Sequence, residues 1–483
     1  MRLATSEARA SLRSINLAIS ARGIAAIEVV DPDAASRFLQ SVIPMKGRMI
    51  HDYNAKQQCQ LYDRAGQVSL PVRSDIARFN THAGWKKCIN SLDRGLLNRG
   101  LLDEVLARPE IRVFFQHKLN TADFDKRVLL FLDLDTRKEV QVNFDLCVGA
   151  DGSYSNVRRQ LMRVVRMDFQ QTYIPHEYLE LKMPPGKDAE GKAVFSLDPN
   201  HLHIWPRRSF MLIALPNKDK SFTCTLFAPT ADFNQLSDPE QALAWFKGQF
   251  PDALFLIGED EILEGFRNNP RSPLIAIKES LANPYHYKDR AVILGDAAHS
   301  MVPFFGQGLN CGLEDVRVLD VILRENGVDP TDVSINTGGS VDARLAGALN
   351  KYSETRHNDL VAISDLAMAN YVEMRHSVAT PSYLFLRALN NLFSLLTARS
   401  QVAPSSVGPL LSRTPFPSTS PAGWIPLYTM VTFRPDISYS VAKQKAERQQ
   451  MIIANLGWLG SAVGIFGVGI VALRLAQRSR GVN

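Results

Sequence analysis

The stretch Leu294-Gly295-Asp296-Ala297-Ala298-His299-Ser300, running on through Pro303-Phe304-Phe305-Gly306-Gln307-Gly308-Leu309-Asn310, has residue types and spacing suited to chemistry. The apolar run Ala291-Val292-Ile293-Leu294 reads as a buried strand that ends at Gly295-Asp296. A glycine-bearing loop follows, and Asn310 to Leu323 has helical character. A carboxylate at a strand end accepts hydrogen bonds from hydroxyls, while the unpaired N–H groups of a helix N-terminus face negative charge. Together they can hold a polyol and an anion at once. Without that chemistry the same residues are a plain strand–turn–helix connection.

A second string has the same form. Val148-Gly149-Ala150-Asp151-Gly152-Ser153-Tyr154-Ser155-Asn156-Val157-Arg158 reads as a strand, a tight acidic turn and a helix start. Asp151 fixes the turn, and Gly152 supplies a backbone conformation that strains other residues. Alone, Asp-Gly is a common turn.

The pair of strings resembles the two flavin motifs of the FAD-dependent aromatic-ring hydroxylases. More strings narrow the resemblance to the kynurenine 3-monooxygenase family: Arg13-Ser14-Ile15-Asn16-Leu17-Ala18, Met45-Lys46-Gly47-Arg48-Met49-Ile50-His51, Tyr173-Ile174-Pro175-His176 and Leu202-His203-Ile204-Trp205-Pro206-Arg207. Ser221 to Phe227 (SFTCTLF) and Ile425 to Val431 (IPLYTMV) belong to the same set. The resemblance covers almost the whole chain from Arg13 to a C-terminal apolar run.

It implies a flavin monooxygenase in tryptophan degradation and NAD biosynthesis. Such an enzyme hydroxylates L-kynurenine at carbon 3, using FAD as cofactor, NADPH as co-substrate and O2. The flavin carries the chemistry, so no side chain is assigned a catalytic role. By resemblance Arg48 matches the arginine that grips the substrate carboxylate, a suitable partner for a guanidinium fork. Tyr62, Asn370 and Tyr428 match the other substrate contacts. Ala18, Arg94, Leu119, Asn156, Asp296, Leu309 and Asn310 match cofactor-binding positions. His299 is expected to be a structural part of its turn. The plainer readings are a solvated surface charge for Arg48, core packing for Tyr62 and Tyr428, and a helix-surface arginine for Arg94.

Two departures from the family stand out. The family opens with a G-x-G-x-x-G strand–turn–helix that cradles the pyrophosphate. Here Met1 falls just before the RSINLA string. The expectation is a truncated gene model, whose product would hold FAD poorly or fold poorly. Residues 68–87 also interrupt a string that the family joins directly, as a retained intron or a surface loop. These departures keep two alternatives open: a membrane protein that lacks FAD and is catalytically dead, or an FAD hydroxylase for another aromatic acid.

The elements that must position these residues follow from pattern. Residues 14–30 have helical spacing, 111–115 and 128–134 read as strands, and 139–148 reads as one strand. Residues 193–230 alternate apolar and polar, as an antiparallel sheet requires. Residues 235–265 and 340–396 read as helical. The fold class expected is α/β: a Rossmann-like FAD/NAD(P)-binding domain with an inserted antiparallel β-sheet substrate domain, then a helical C-terminal part and one transmembrane helix. The boundaries are 1–165 and 281–330 for the two parts of the FAD domain and 166–280 for the sheet domain. Residues 331–450 form the helical region, with a Pro/Ser-rich loop at 403–423.

Ile452 to Leu473 carries no charge and exceeds the roughly 20 residues needed to span a bilayer. It reads as a membrane anchor, and by resemblance the membrane is the mitochondrial outer membrane with the catalytic part facing the cytosol. The 483 residues carry a net charge of +6, 45% hydrophobic and 22% charged residues, as a folded protein with large cores does. No basic patch interleaved with aromatics points to nucleic acid. Five scattered cysteines with no C-x-x-C pair give neither a metal site nor a disulfide framework, and fit a reducing compartment. Oligomeric state cannot be read.

Overall fold

The computed structural model describes residues 16–62, 88–236, 238–279, 284–331, 340–377, 380–397 and 408–455. The interrupting segment 68–87 lies outside them, as does the apolar run beyond residue 455.

Three sheets meet around the candidate site. Strands β1 (Leu17–Ile19), β2 (Ile43–Met45) and β5 (Ile89–Leu92) form the first, with β5 central. The second has seven strands in the order β14-β10-β13-β12-β11-β3-β4. These are β3 (Gly47–His51), β4 (Gln57–Leu61), β10 (Phe169–Met183), β11 (His201–Arg207), β12 (Phe210–Pro216), β13 (Phe222–Pro229) and β14 (Ser272–Glu279). All neighbours are antiparallel except β11 and β3, which run parallel with Leu202 opposite Arg48. Arg48 therefore stands on the large sheet. The third sheet sets β16 (Ala291–Ile293) between β15 (His286–Tyr287) and β9 (Cys147–Gly149), pairing β16 with β9 in parallel. A separate meander comprises β6 (His117–Asp123), β7 (Val128–Asp133) and β8 (Glu139–Asn143).

The helices that shape the site are α1 (Ala21–Val30), α2 (Arg94–Leu106), α3 (Asn156–Leu161), α4 (Gly308–Glu325), α5 (Ala343–Val372), α6 (Pro381–Leu396) and α7 (Leu427–Phe433). A last helix, α8, spans 439–455. Caps fix several starts. The Asp93 carboxylate accepts the Leu96 N–H at 2.8 Å, and Ser155 Oγ accepts that of Arg158 at 2.9 Å. One core runs from β9 and β16 through α4 to α5 and α8. A second lies between the large sheet and four short helices spanning 230–268, around the fully buried Trp205.

Local pattern misplaced several elements. Residues 14–30 are not one helix: Leu17 to Ile19 pair with Leu92 to Asn90, and the helix begins at Ala21. A strand partner far along the chain overrides the helical spacing. Residues 139–148 are two strands in different sheets. The Phe144 N–H bonds the Arg127 carbonyl at 3.1 Å and the Cys147 N–H bonds that of Arg290 at 2.8 Å, which pulls the two halves apart. Residues 111–115 form no strand; pairing begins at His117. The helical stretch 235–265 is broken at Pro239, Pro251 and Gly258. Among the described residues, no helix is long and apolar enough to cross a membrane.

Candidate active site

Strand β16 ends at Leu294, and Gly295 adopts φ 57° and ψ −146°. That positive φ favours glycine. Its Cα also approaches that of Gly312 on α4: a Cβ added at Gly312 would stand 3.6 Å from the Gly295 Cα. Asp296 follows, with its carboxylate open to a cavity of about 640 Å³. One wall of the cavity is Leu294 to Asp296 and the loop Pro303 to Leu309. The facing wall includes Ala18, Arg48, Arg94 and Tyr428, and Ala150 and Gly152 reach it from the first acidic turn. The volume lies within the range of small-molecule and cofactor sites. Partial loss of hydration at the cavity wall raises the Asp296 pKa, while the positive charges of His299 and Arg94 pull it down.

Asn310 locks the loop to the first strand. Its Nδ2 donates to the Ala18 carbonyl at 2.9 Å and the Gly306 carbonyl at 2.7 Å, and its Oδ1 accepts the Ser20 N–H at 2.8 Å. A Cβ on Gly23 would stand 2.5 Å from that Oδ1. Gly306 itself is left-handed, φ 68°.

Behind this loop lies a fully buried charge cluster. Asp315 Oδ2 is 2.5 Å from His299 Nε2 and accepts the Gly295 N–H at 2.9 Å, while its Oδ1 takes Arg356 Nη2 at 2.7 Å. Glu314 bridges Arg22 at 2.5 Å and Arg356 at 3.0 Å. Burial opposes the charge on both His299 and Asp315. The partners win: the His299 pKa rises well above the usual value and that of Asp315 falls to about 2. Cys311 lies within 4.0 Å of His299 Nδ1, so His299, Cys311 and Asp315 could span a metal ion. Arg356, with its Nη2 at 3.3 Å from Cys311 and on Asp315, fills the cation's place.

Sequence reading kept His299 as structural and passed over Glu314, Asp315, Arg22, Arg317 and Arg356. A signal was available. Cys311, Glu314, Asp315, Val318 and Ile322 share one helical face, so charges interrupt an apolar stripe.

A second cavity of about 610 Å³ adjoins the first and is lined by Arg48, Tyr62, Asn370, Tyr383 and Tyr428 among others. Arg48, Phe305 and Tyr428 line both cavities and form the wall between them. Tyr428 stacks on Tyr62 at 5.1 Å and on Phe305 at 5.6 Å, and the Arg48 guanidinium sits 4.8 Å from the Tyr428 ring centroid. Arg48 Nε is buried with no hydrogen-bond partner among the described residues, and the Tyr62 hydroxyl interacts with Tyr428 and with the Arg48 guanidinium. An orphaned guanidinium nitrogen beside a cavity is ready for an anionic ligand. Burial works against the Arg48 charge, but the surrounding tyrosine oxygens and Glu373 raise its pKa overall. Burial likewise keeps the Tyr62 hydroxyl protonated.

Asn370 is turned toward the loop, donating from Nδ2 to the Phe304 carbonyl at 2.6 Å. Tyr383, whose hydroxyl donates to Glu373 at 2.9 Å, was missed, because α6 meets Arg48 only through the tertiary fold.

The structure thus brings Arg48, Tyr62, Asn370 and Tyr428 onto one cavity. Ala18, Arg94, Asp296 and Leu309 line the other, with Asn310 directly behind its loop. Leu119 and Asn156 line neither. They meet each other beside the first acidic turn, where Asn156 Nδ2 lies 3.5 Å from the Leu119 carbonyl.

The residues around Asp296 fit a flavin. A carboxylate, a glycine loop and the N-terminus of an 18-residue helix face one cavity. A model of an FAD binding domain matches residues 259–326. Solved structures with this fold include the tetrameric form of 2-methyl-3-hydroxypyridine-5-carboxylic acid oxygenase. Its TM-score is 0.55 at 17% identity, over 77% of this chain and 86% of that one. Pseudomonas aeruginosa PqsL, in complex with 2-aminobenzoylacetate, gives a TM-score of 0.53 at 16% identity, over 76% and 88%. The fold and the site define an FAD-dependent monooxygenase-type protein.

Curated relatives carry the assignment further. Kynurenine 3-monooxygenase of Cryptococcus neoformans (strain B-3501A) is 42% identical, over 98% of this chain and 90% of its own length. The enzyme of Yarrowia lipolytica is 42% identical over 95% and 87%, and that of Saccharomyces cerevisiae 37% over 95% and 87%. The chain belongs to the kynurenine 3-monooxygenase family.

Proposed function

We propose that this protein hydroxylates L-kynurenine to 3-hydroxykynurenine, using FAD, NADPH and O2. The observation that carries the reading is the shared wall of Arg48, Tyr428 and Phe305 between a flavin-suited cavity and a second one. When bound, FAD would accept hydride from NADPH and activate O2. The protein's own part is to bind, orient and exclude water. Asp296 would accept hydrogen bonds from the ribityl hydroxyls, with the N–H groups at the start of α4 facing negative charge. Arg48 would hold the amino-acid carboxylate through its guanidinium, whose Nε is buried and unpartnered. Tyr62 and Tyr428, stacked, would press the substrate ring in place. Asn370 would support this wall by holding the Phe304 carbonyl. Leu119 and Asn156 would act through the acidic turn at Asp151-Gly152.

The test is purification of the full chain, measurement of its flavin absorbance, and NADPH oxidation with L-kynurenine against other aromatic acids. Flavin with kynurenine-stimulated oxidation and 3-hydroxykynurenine as product supports the reading. A folded, colourless protein, or no stimulation by kynurenine, would refute it.

The uncharged run 452–473 is assigned as a membrane anchor in the mitochondrial outer membrane, with the catalytic part in the cytosol. Its length and the family resemblance support this assignment. Release of the protein from membranes by alkaline carbonate would overturn it.

A further inference from the structure

One edge of the large sheet carries a group of side chains that the two cavities do not use. Cys59 lies on β4, the end strand of that sheet among the described residues, and is exposed. His201 opens β11, two strands away across β3, and Asp198 sits in the turn before it. The imidazole bridges the other two. Its Nε2 is 3.3 Å from Cys59 Sγ, and its Nδ1 is 2.8 Å from Asp198 Oδ2. Asp198 is held in turn, its Oδ1 accepting the Asn200 N–H at 2.9 Å and its carbonyl facing His203 Nε2 at 2.9 Å. His201 is only 8% exposed, while the Cys59 sulfur and the Asp198 carboxylate on either side of it are open to solvent.

The order is nucleophile, base, orienting carboxylate. A carboxylate at Nδ1 fixes the imidazole tautomer and leaves Nε2 to take the thiol proton. The thiolate, not the thiol, is the reactive form of cysteine. The other cysteines differ. Cys147, Cys224 and Cys311 are buried, which pushes their thiols up, to about 11 for Cys147. Cys88 is half-buried, with its Sγ 3.8 Å from Asn90 Oδ1.

We propose that Cys59, His201 and Asp198 form a peroxide-reactive thiol site, at which hydrogen peroxide oxidises Cys59 to a sulfenic acid. His201 Nε2 takes the Cys59 proton, and the thiolate sulfur attacks one peroxide oxygen. The O–O bond breaks as the S–O bond forms. The departing hydroxide takes the proton back from His201 and leaves as water. Sulfur gives up two electrons and the peroxide is reduced by two. Thiol and peroxide become sulfenic acid and water, with His201 unchanged. The reaction needs neither flavin nor substrate. Cys59 pairs with Met49, beside the pairing of Gln60 with Arg48, so the modification falls on a strand that leads to Tyr62.

The test is exposure of the full-length, FAD-loaded protein to dilute hydrogen peroxide with a sulfenic-acid trap, dimedone, followed by mass spectrometry of each cysteine peptide. Cys59 is expected to be trapped about tenfold or more faster than Cys88, the gain from a base held within reach of the thiol proton. Cys59→Ser removes the fast label. His201→Gln slows labelling of Cys59 about tenfold and leaves that of Cys88 unchanged. Equal rates at Cys59 and Cys88, or an unchanged Cys59 rate in a folded His201→Gln protein, overturn the proposal. If His201→Gln lets the trap reach Cys224 and Cys311, its fold is lost. Asp198→Asn then decides by the same criterion, because its carboxamide keeps the shape and loses the charge.

Discussion

His299 Nε2 and Asp315 Oδ2 lie 2.5 Å apart in the protein interior, and the same oxygen accepts the backbone N–H of Gly295 at 2.9 Å. The turn that presents Asp296 to the cavity is therefore tied to α4 through a buried ion pair. Asp315→Asn would leave Arg356 short of a counter-charge and His299 unable to hold its proton. Removing one partner of a buried pair costs about 3–5 kcal/mol. The expected outcome is a lower unfolding midpoint and a protein purified with little flavin. A variant with normal flavin content and unchanged thermal unfolding would show that the pair does not position the turn.

The same pair sets a pH window. The His299 pKa is raised, so its contribution is complete below the ordinary histidine value of about 6.5 and fades as pH climbs through the raised one. The Asp315 pKa is lowered to about 2, so its contribution is complete above the ordinary carboxylate value of about 3.9 and is lost as pH falls toward 2. From this pair alone, stability is expected to peak between those limits and decline on both sides. Denaturant unfolding across pH checks this, and the acid limb should flatten in Asp315→Asn.

Arg48 presents an unpartnered nitrogen to the shared wall. Arg48→Met should raise KM for L-kynurenine by about 10- to 100-fold, the worth of a charge-assisted hydrogen bond to a carboxylate. Flavin content should hold, and Arg48→Lys should recover only part of the loss, since a point charge lacks the fork. Steady-state kinetics decide; an unchanged KM would remove Arg48 from the substrate site.

Tyr428 stands between the two cavities, stacked on Tyr62 and Phe305. Tyr428→Phe keeps the stack and should change KM by less than about threefold. Tyr428→Ala joins the cavities and admits water, so NADPH consumption should outrun 3-hydroxykynurenine formation. The ratio of product formed to NADPH consumed measures this, and a ratio equal to wild type in Tyr428→Ala would refute the wall.

Gly23 lies inside α1, where alanine would ordinarily gain about 1 kcal/mol in helix propensity. Here the new Cβ would stand 2.5 Å from Asn310 Oδ1, which already bonds the Ser20 N–H. Displacing Asn310 disturbs three hydrogen bonds, one of them fully buried, so the clash wins and Gly23→Ala should lose about 1–3 kcal/mol. Thermal unfolding with and without added FAD checks both sign and size; a stabilised variant would contradict the packing.

Much of the architecture was legible where the signal is local. Within the alternation at 193–230, residues 201–207, 210–216 and 222–229 became strands of the large sheet, while Ala193–Val194 pairs with Gly186–Lys187 in a two-stranded sheet, and the apolar run at 291–294 became β16. Other parts were not, because remote partners set them. Leu17 to Ile19 became a strand on account of β5, and the stretch 139–148 was divided between two sheets. The buried charges of α4 left a trace as interruptions of its apolar face, but their partners, Arg22 and Arg356, sit on other helices.

By itself, the sequence determined the chemistry on offer: an acid and glycines at a strand end, an arginine in a distinctive string, and the family to which those strings point. Residue identity and short-range spacing suffice for that. Only the tertiary structure decided that Arg48, Tyr428 and Phe305 divide two cavities, and that Gly295 hangs from a buried His299–Asp315 pair. The reason is physical. A shared wall and a desolvated ion pair depend on distances between residues far apart in the chain, and packing fixes those distances.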